Sequence, residues 1–297
     1  MPCLIRHISL TPIADAQQPL PPDRFAENLT DASRFESETG VYAVFATWHG
    51  HRVVCLSKHF DRLEDSASRA GFSLTLNRRP LQDQLRKIAR DSGFGEVRMR
   101  ISASPQSSFL TVSVEPYHGP PADLRERGVR CKTVAHAPRS NPRAKQTRWL
   151  LERSELGTTN HEVYEQLLVD QSGCILEGVS SNFYVVRRAI PRAAAVPGSA
   201  AVPGDMVLQT ADAGILPGIA RAIVMEVARD VIAVDLAAPR LNERSEFAEA
   251  FLTSASRGIV PIMEIDGQPI GTGGAGEITR TLIEHYDRRA QALEEAL

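Results

Sequence analysis

Residues 164–186, YEQLLVDQSGCILEGVSSNFYVV, decide how the chain is read. The β-forming runs 164–169 and 174–176 flank Gln171-Ser172-Gly173, and a third run, Asn182 to Val186, follows closely, which is the pattern of successive strands joined by tight turns. Further along, 249–254 and 259–265 read as strands, with Asp266-Gly267 marking a turn. A helix over 218–229 begins after Pro217-Gly218, and another closes the chain from about Glu277.

Towards the N-terminus the periodicity changes. KQTRWLLERSEL (145–156) has its apolar set at Trp149, Leu150 and Leu156 and stops at Gly157, which predicts a helix. Before it, 134–144 is rich in Pro, Arg and Ser and lacks periodicity, as a linker does. Residues 39–57 predict a hairpin about His49-Gly50-His51, 59–70 and 80–92 predict helices, and 96–102 and 109–116 predict strands, ending near Pro120-Pro121. The division expected is a smaller N-terminal αβ domain (1–133), a linker (134–144) and a larger domain (145–297) of mixed α/β (α+β) class. The Ala/Pro/Gly-rich stretch 189–205 reads as a long exposed loop in a hairpin, without a site.

Composition excludes several function classes. At 297 residues a second domain is expected, and 36 acidic against 34 basic residues leave no charge block suited to nucleic acid or an anionic membrane. No stretch approaches the roughly 20 apolar residues of a membrane span. The start, MPCLIRHISLTPIAD, lacks a basic region followed by an apolar run and cleavage site, which predicts a cytoplasmic protein. Cys3, Cys55, Cys131 and Cys174 are widely spaced and predict neither a disulfide framework nor a metal site. The cation choice is selective: of 34 basic residues only Lys58, Lys87, Lys132 and Lys145 are lysine. Arginine serves surface charge equally well but cannot condense with an aldehyde, so each lysine is worth tracing to a purpose.

The ordered set from KQTRWLLERSEL through ILEGVSSNFYVV and GILPGIARAIVMEVA to AFLTSASRGIVPIMEIDGQPIG resembles the class IV (fold-type IV) aminotransferases. That group includes D-amino-acid and branched-chain aminotransferases, (R)-amine transaminases and 4-amino-4-deoxychorismate lyase. The resemblance covers about residues 40–70 and nearly everything from 143 to 285. It implies a homodimeric fold-type IV enzyme whose larger domain has a β-barrel-like core, with pyridoxal 5′-phosphate (PLP) between the domains.

Residue by residue, the resemblance implies the following. Lys145 is the lysine that holds PLP as a Schiff base and moves the substrate proton, and Glu177 faces the pyridine nitrogen. Ser180, Ser181 and Asn182 occupy the small-polar position beside the cofactor. Arg62, in His59-Phe60-Asp61-Arg62-Leu63, matches an H-x-x-R-L arginine suited to a phosphate. Ile219 and Ala220, after Leu216-Pro217-Gly218, offer helix N-terminal N–H groups, although the family usually has Thr where Ala220 stands. Ser254 or Ser256 would cap the phosphate in place of the Thr that relatives often carry at Ala255.

For substrate, Tyr42 matches an aromatic position lining the pocket, and Trp149 stands where branched-chain enzymes have a tyrosine. Arg98 and Arg100, two apart in a predicted strand, share one face; the resemblance implies carboxylate binding there, since some relatives use a basic side chain at the Arg98 position. The loop Ser104-Pro105-Gln106-Ser107-Ser108 lacks the Arg-x-His trap of D-amino-acid aminotransferases. The expected reaction moves an amino group from an amino acid or amine to a 2-oxo acid. Elimination of pyruvate to give 4-aminobenzoate stays open, as does a catalytically silent ligand-binding homologue, against which Lys145, Glu177 and Arg62 together weigh.

Overall fold

Period-two alternation and three-to-four-residue apolar spacing sort the chain into strands and helices, seen here in a computed structural model that describes residues 2–10, 19–135, 141–156, 163–189 and 206–297. The first part of the chain forms β1 (Cys3–Ser9), β2 (Arg24–Ala26), β3 (Val41–Ala46), β4 (Arg52–Val54), α1 (Leu56–Arg69), α2 (Arg78–Ser92), β5 (Val97–Ala103) and β6 (Phe109–Pro116). Next come α3 (Ala122–Arg127), β7 (Val129–Ala135), α4 (Arg148–Glu155), β8 (Glu165–Val169), β9 (Ile175–Gly178) and β10 (Asn182–Arg188). The last part comprises β11 (Met206–Gln209), α5 (Ile219–Val227), β12 (Ala233–Asp235), β13 (Phe247–Ser254), β14 (Gly258–Ile265), β15 (Gln268–Pro269), α6 (Glu277–Ala292) and β16 (Glu294–Ala296).

These elements group into two units. The first comprises residues 1–119, 143–157 and 293–297; the second comprises 120–142 and 158–292. In the first, an antiparallel sheet runs β2-β1-β6-β5-β3. One face, with Val41, Ala43, Phe45, Met99 and Ile101, packs on Phe60 and Leu63 of α1 and Leu81, Leu85 and Ile88 of α2. The helices bury those residues because they recur at three- and four-residue spacing. The other face packs Cys3 and Ile5 against Ala26 and Leu29.

The second unit is a closed barrel. Strands β10, β13, β14, β7, β8 and β9 neighbour one another in that order, and β9 returns to β10 through Asn182 opposite Glu177. The pairings β14–β7 and β7–β8 are parallel, the others antiparallel. Closure leaves no open edge among the six strands. Leu167, Val169, Ile175, Phe183, Val185, Leu252, Val260 and Ile262 share the apolar cluster. Helices α5 and α6 pack on each other and against β13.

Most expected elements stand where periodicity put them, with differences at the joins. Helix α4 begins at Arg148, so Lys145 precedes it in extended chain instead of opening it. The expected helix end at Gly157 lies outside the described residues. The turn at His49-Gly50-His51 is present, closed by paired hydrogen bonds of 2.7 Å between Trp48 and Arg52, but β4 pairs with β16 at the far end of the chain. Strand β7 runs through 134 and 135, the start of the expected linker, and residues 136–140 lie outside those described. Contacts also group 120–133 with the barrel, and 145–157 and 293–297 with the first sheet, unlike the linear division expected. Of the Ala/Pro/Gly-rich stretch, 190–205 lie outside the described residues; β10 and β11, which it joins, pair antiparallel.

Candidate active site

In the first unit the main chain around Lys145 is clamped from two sides. Its N–H donates to Ser66 Oγ on α1 at 3.1 Å, and its carbonyl accepts the Tyr42 N–H of β3 at 2.9 Å. Gln146 bridges Val41, and the Thr147 N–H donates to the Gly40 carbonyl at 2.9 Å. Glycine is required at 40 because a Cβ there would stand 2.7 Å from the Ala103 carbonyl oxygen. Lys145 Nζ lies 5.0 Å from the centroid of the Tyr42 ring, a cation–π approach. Lys58, Lys87 and Lys132 are exposed, and Lys145 alone of the four lysines is half-buried.

Arg62 lies one turn before Ser66 on α1, on the same side of the helix. It is half-buried, and it forms no hydrogen bond or ion pair with the described residues. Burial pushes its guanidinium down to about 10, against a small opposing effect of Tyr42, so it stays cationic at neutral pH. His59, one turn earlier, is buried with Nε2 unpartnered, its ring edge-on to Phe45 at 5.3 Å. Burial, and then the charges of Arg62 and Lys145, hold this imidazole well below the ordinary histidine range, hence neutral.

Arg98 and Arg100 share a face of β5, as expected, but acids occupy both. Arg98 Nε donates to Glu115 at 2.7 Å, and Glu115 also accepts the Leu29 N–H at 2.7 Å. Arg100 Nε donates to Glu36 at 2.6 Å, both side chains being only 1% exposed. Trp149 is buried in the first turn of α4.

In the barrel unit Glu177, on β9, is buried, and its Oε2 accepts the Leu216 N–H at 3.0 Å. Asn182 Nδ2 donates to the Leu216 carbonyl at 2.9 Å. A Cβ at Gly218 would meet Asn182 Oδ1 at 2.2 Å, so glycine lets the loop before α5 dock on the barrel rim. Helix α5 then starts at Ile219 with no side-chain cap and no acid in its first turn, while Ile219 and Ala220 are buried. A buried, uncapped helix start presents N–H donors without intrahelical partners, which suits an anion.

Ser180 and Ser181 turn towards Glu165. Its Oε1 accepts the Ser180 N–H at 2.7 Å and Oγ at 3.1 Å, and Ser181 Oγ at 2.8 Å. Arg257 donates through Nη1 to Glu165 Oε2 at 2.7 Å and through Nε to Ser254 Oγ at 2.8 Å. Ser256 is buried nearby in the chain, between Ala255 and Arg257.

The sequence profile described as Amino-transferase class IV matches residues 40–265. The chain belongs to the class IV aminotransferases. This aminotransferase is 28% identical over 277 residues, 89% of its length and 92% of the other's, to a probable branched-chain-amino-acid aminotransferase of Thermotoga maritima. It is 25% identical to the D-alanine aminotransferase of Bacillus licheniformis over 82% of this chain and 84% of that one. Among solved structures, a putative branched-chain amino acid aminotransferase of Thermotoga maritima superposes with a TM-score of 0.70 at 25% identity, covering 98% and 97% of the two chains. A branched-chain aminotransferase of the archaeon Thermoproteus uzoniensis, with norvaline, gives 0.70 at 22% identity over 92% and 94%.

The aminotransferase fold and class are therefore those the motifs implied: an enzyme of transamination, acting on amino and keto acids, in a family that uses PLP. No helix among the described residues is long and apolar enough to cross a membrane. Glu165 and Arg257 were not singled out by sequence reasoning. They lie 92 positions apart, and only tertiary pairing shows that they meet. His59 was in view as part of H-x-x-R-L, but no periodicity distinguishes an unpartnered imidazole from a packed one.

Proposed function

We propose that this aminotransferase uses PLP held by Lys145 to pass an amino group from an α-amino acid to a 2-oxo acid. The observation that carries the reading is Lys145 itself: the one lysine withdrawn from solvent, with its main chain pinned to both α1 and β3. When bound, PLP supplies a sink for the electrons left at a substrate Cα after its proton departs.

Lys145 Nζ would hold the cofactor through its aldehyde carbon and would be the base that takes and returns the substrate Cα proton. Pinning its backbone leaves only side-chain torsions to move, which favours a repeated proton transfer over a fixed short path. Glu177 would face the pyridine nitrogen and keep it protonated; the Leu216 N–H holds the carboxylate in place for that task. Arg62 and the N–H groups of Ile219 and Ala220 bind the phosphate, with Ser254 and Ser256 adding hydroxyls. Both features fit a dianion, since among the described residues the guanidinium has no acid partner and the helix start has no side-chain cap.

Ser180, Ser181 and Asn182 serve as the frame of this site, given their partners, more than as cofactor ligands. Tyr42 and Trp149 line the substrate side. Arg98 and Arg100 could reach a substrate carboxylate only by leaving Glu115 and Glu36. The active form is a homodimer in the cytoplasm.

The experiment is to reconstitute the purified chain with PLP and follow its visible spectrum through a panel of D- and L-amino acids and (R)-amines. The lysine-bound cofactor band should fall with one class of donor and return on adding a 2-oxo acid. A chain that takes up PLP yet responds to no donor would contradict transamination.

A further inference from the structure

Glu165 and Arg257 form a buried ion pair that the proposed chemistry does not use. Glu165 is 2% exposed and the Arg257 side chain 18%. Burial alone would push the Glu165 carboxyl up, but Arg257 and the Ser180 N–H outweigh it and hold the group below its ordinary range. The Arg257 guanidinium lies 5.4 Å from the Tyr164 ring centroid and reaches two turns and the acid between them. Nε reaches Ser254 Oγ at 2.8 Å in its own turn, Nη1 reaches Glu165 at 2.7 Å, and Nη2 reaches Ser180 Oγ at 2.9 Å and the Ser180 carbonyl at 3.4 Å. Glu165 in turn gathers the Ser180 N–H and the hydroxyls of Ser180 and Ser181 on Oε1.

The backbone is built around this carboxylate. A Cβ at Gly178 would stand 2.6 Å from Glu165 Oε1 and 2.3 Å from Ser181 Oγ, so the residue after Glu177 must be glycine for the acid to fit. The Gly178 N–H closes the turn on the Ser181 carbonyl at 2.8 Å. One turn thus begins at Glu177 and the other carries Ser254 and Ser256; the β10–β13 ladder joins their strand ends through Asn182 and Thr253, and the ion pair adds a side-chain link between them. A buried ion pair adds little net stability against an apolar substitute of similar volume, so stability alone does not account for it.

We propose that Glu165 and Arg257 are positioning residues that lock the 178–182 turn to the 254–257 turn and so fix Glu177 and the Ser254/Ser256 hydroxyls for the cofactor. The proposal rests on the PLP reading above. The test compares wild type with Glu165→Gln, Arg257→Met and the double variant, measuring PLP affinity by absorbance titration and the melting temperature of the cofactor-free protein. Each single variant should bind PLP about 10- to 100-fold more weakly, the loss expected for charge-assisted hydrogen bonds. Each single variant should also melt lower, because it leaves one buried charge unpaired. The double variant removes both charges, so its melting temperature should recover while its PLP affinity stays low, separating positioning from folding. Variants that melt lower yet bind PLP as wild type does, or a double variant whose affinity recovers along with its melting temperature, would overturn the positioning role. Failure of wild type itself to bind PLP would overturn the PLP reading, and this role with it.

Discussion

Two half-buried arginines, one in each unit, are treated in opposite ways. Arg62, on α1, has no acid beside it among the described residues, and burial draws it down to about 10. Arg257, in the barrel, is matched to Glu165 and two serines; burial pulls it down, but Glu165 and Tyr164 together outweigh that and raise it above its ordinary value. The first arrangement is costly for a folded protein unless an anion supplies the missing partner. The second is complete in itself. On the proposed reading, an arginine that serves a ligand and one that serves the frame differ in their partners, since the residue type is the same and both are withdrawn from water. Arg98 and Arg100, which looked like ligand arginines in sequence, fall on the frame side.

Variants can break or sharpen this contrast. Lys145→Ala should have the largest effect, lowering turnover by at least about 10²–10⁴-fold, the scale of a lost general acid–base group, with the fold intact. The residue lies in an extended segment whose anchors are main-chain groups, which alanine retains. Single-turnover kinetics and circular dichroism check both halves. Glu177→Gln keeps the shape but removes the charge that the proposal sets against the pyridine nitrogen; the amino-donor half-reaction should slow by about 10²-fold or more, as when one preorganised electrostatic group is lost. An unchanged half-reaction would remove Glu177 from that role.

Arg62→Gln should weaken PLP binding by about 1.5–3 kcal/mol, the range for a hydrogen bond to a charged group, and should not lower the melting temperature of the cofactor-free protein. Arg257→Met is expected to lower both, and that difference in the cofactor-free protein is the sharpest form of the comparison. The smallest effect concerns His59. Unfolded, it takes a proton near pH 6.5; folded, burial and the neighbouring cations keep it neutral. The unfolded state therefore binds more protons as pH falls below about 6.5, and folding stability drops there. Below that pH the wild type should lose about 1.4 kcal/mol per pH unit more than His59→Leu, measured by denaturant unfolding across pH 5–7.

Much of this was legible in the chain because it is local. Periodicity located α1, α2, β5, β6, β8 to β10, β13, β14 and α6, and the rarity of lysine isolated Lys145. What escaped was non-local. β7 alternates buried Val129 and Cys131 with exposed Arg130 and Lys132, a half-buried strand whose place in the barrel depends on β14 and β8 far along the chain. The C-terminal strand returns to β4 through backbone hydrogen bonds that leave no composition signal. The contrast between Arg62 and Arg257 is of the same kind, since partners 92 positions away decide it.

The most direct test of the account is to reduce the PLP-loaded enzyme with borohydride, digest it and map the pyridoxyl label by mass spectrometry. The account predicts label on the peptide carrying Lys145 and none on that peptide in Lys145→Ala. Label confined to Lys58, Lys87 or Lys132, or persisting unchanged in Lys145→Ala, would contradict it.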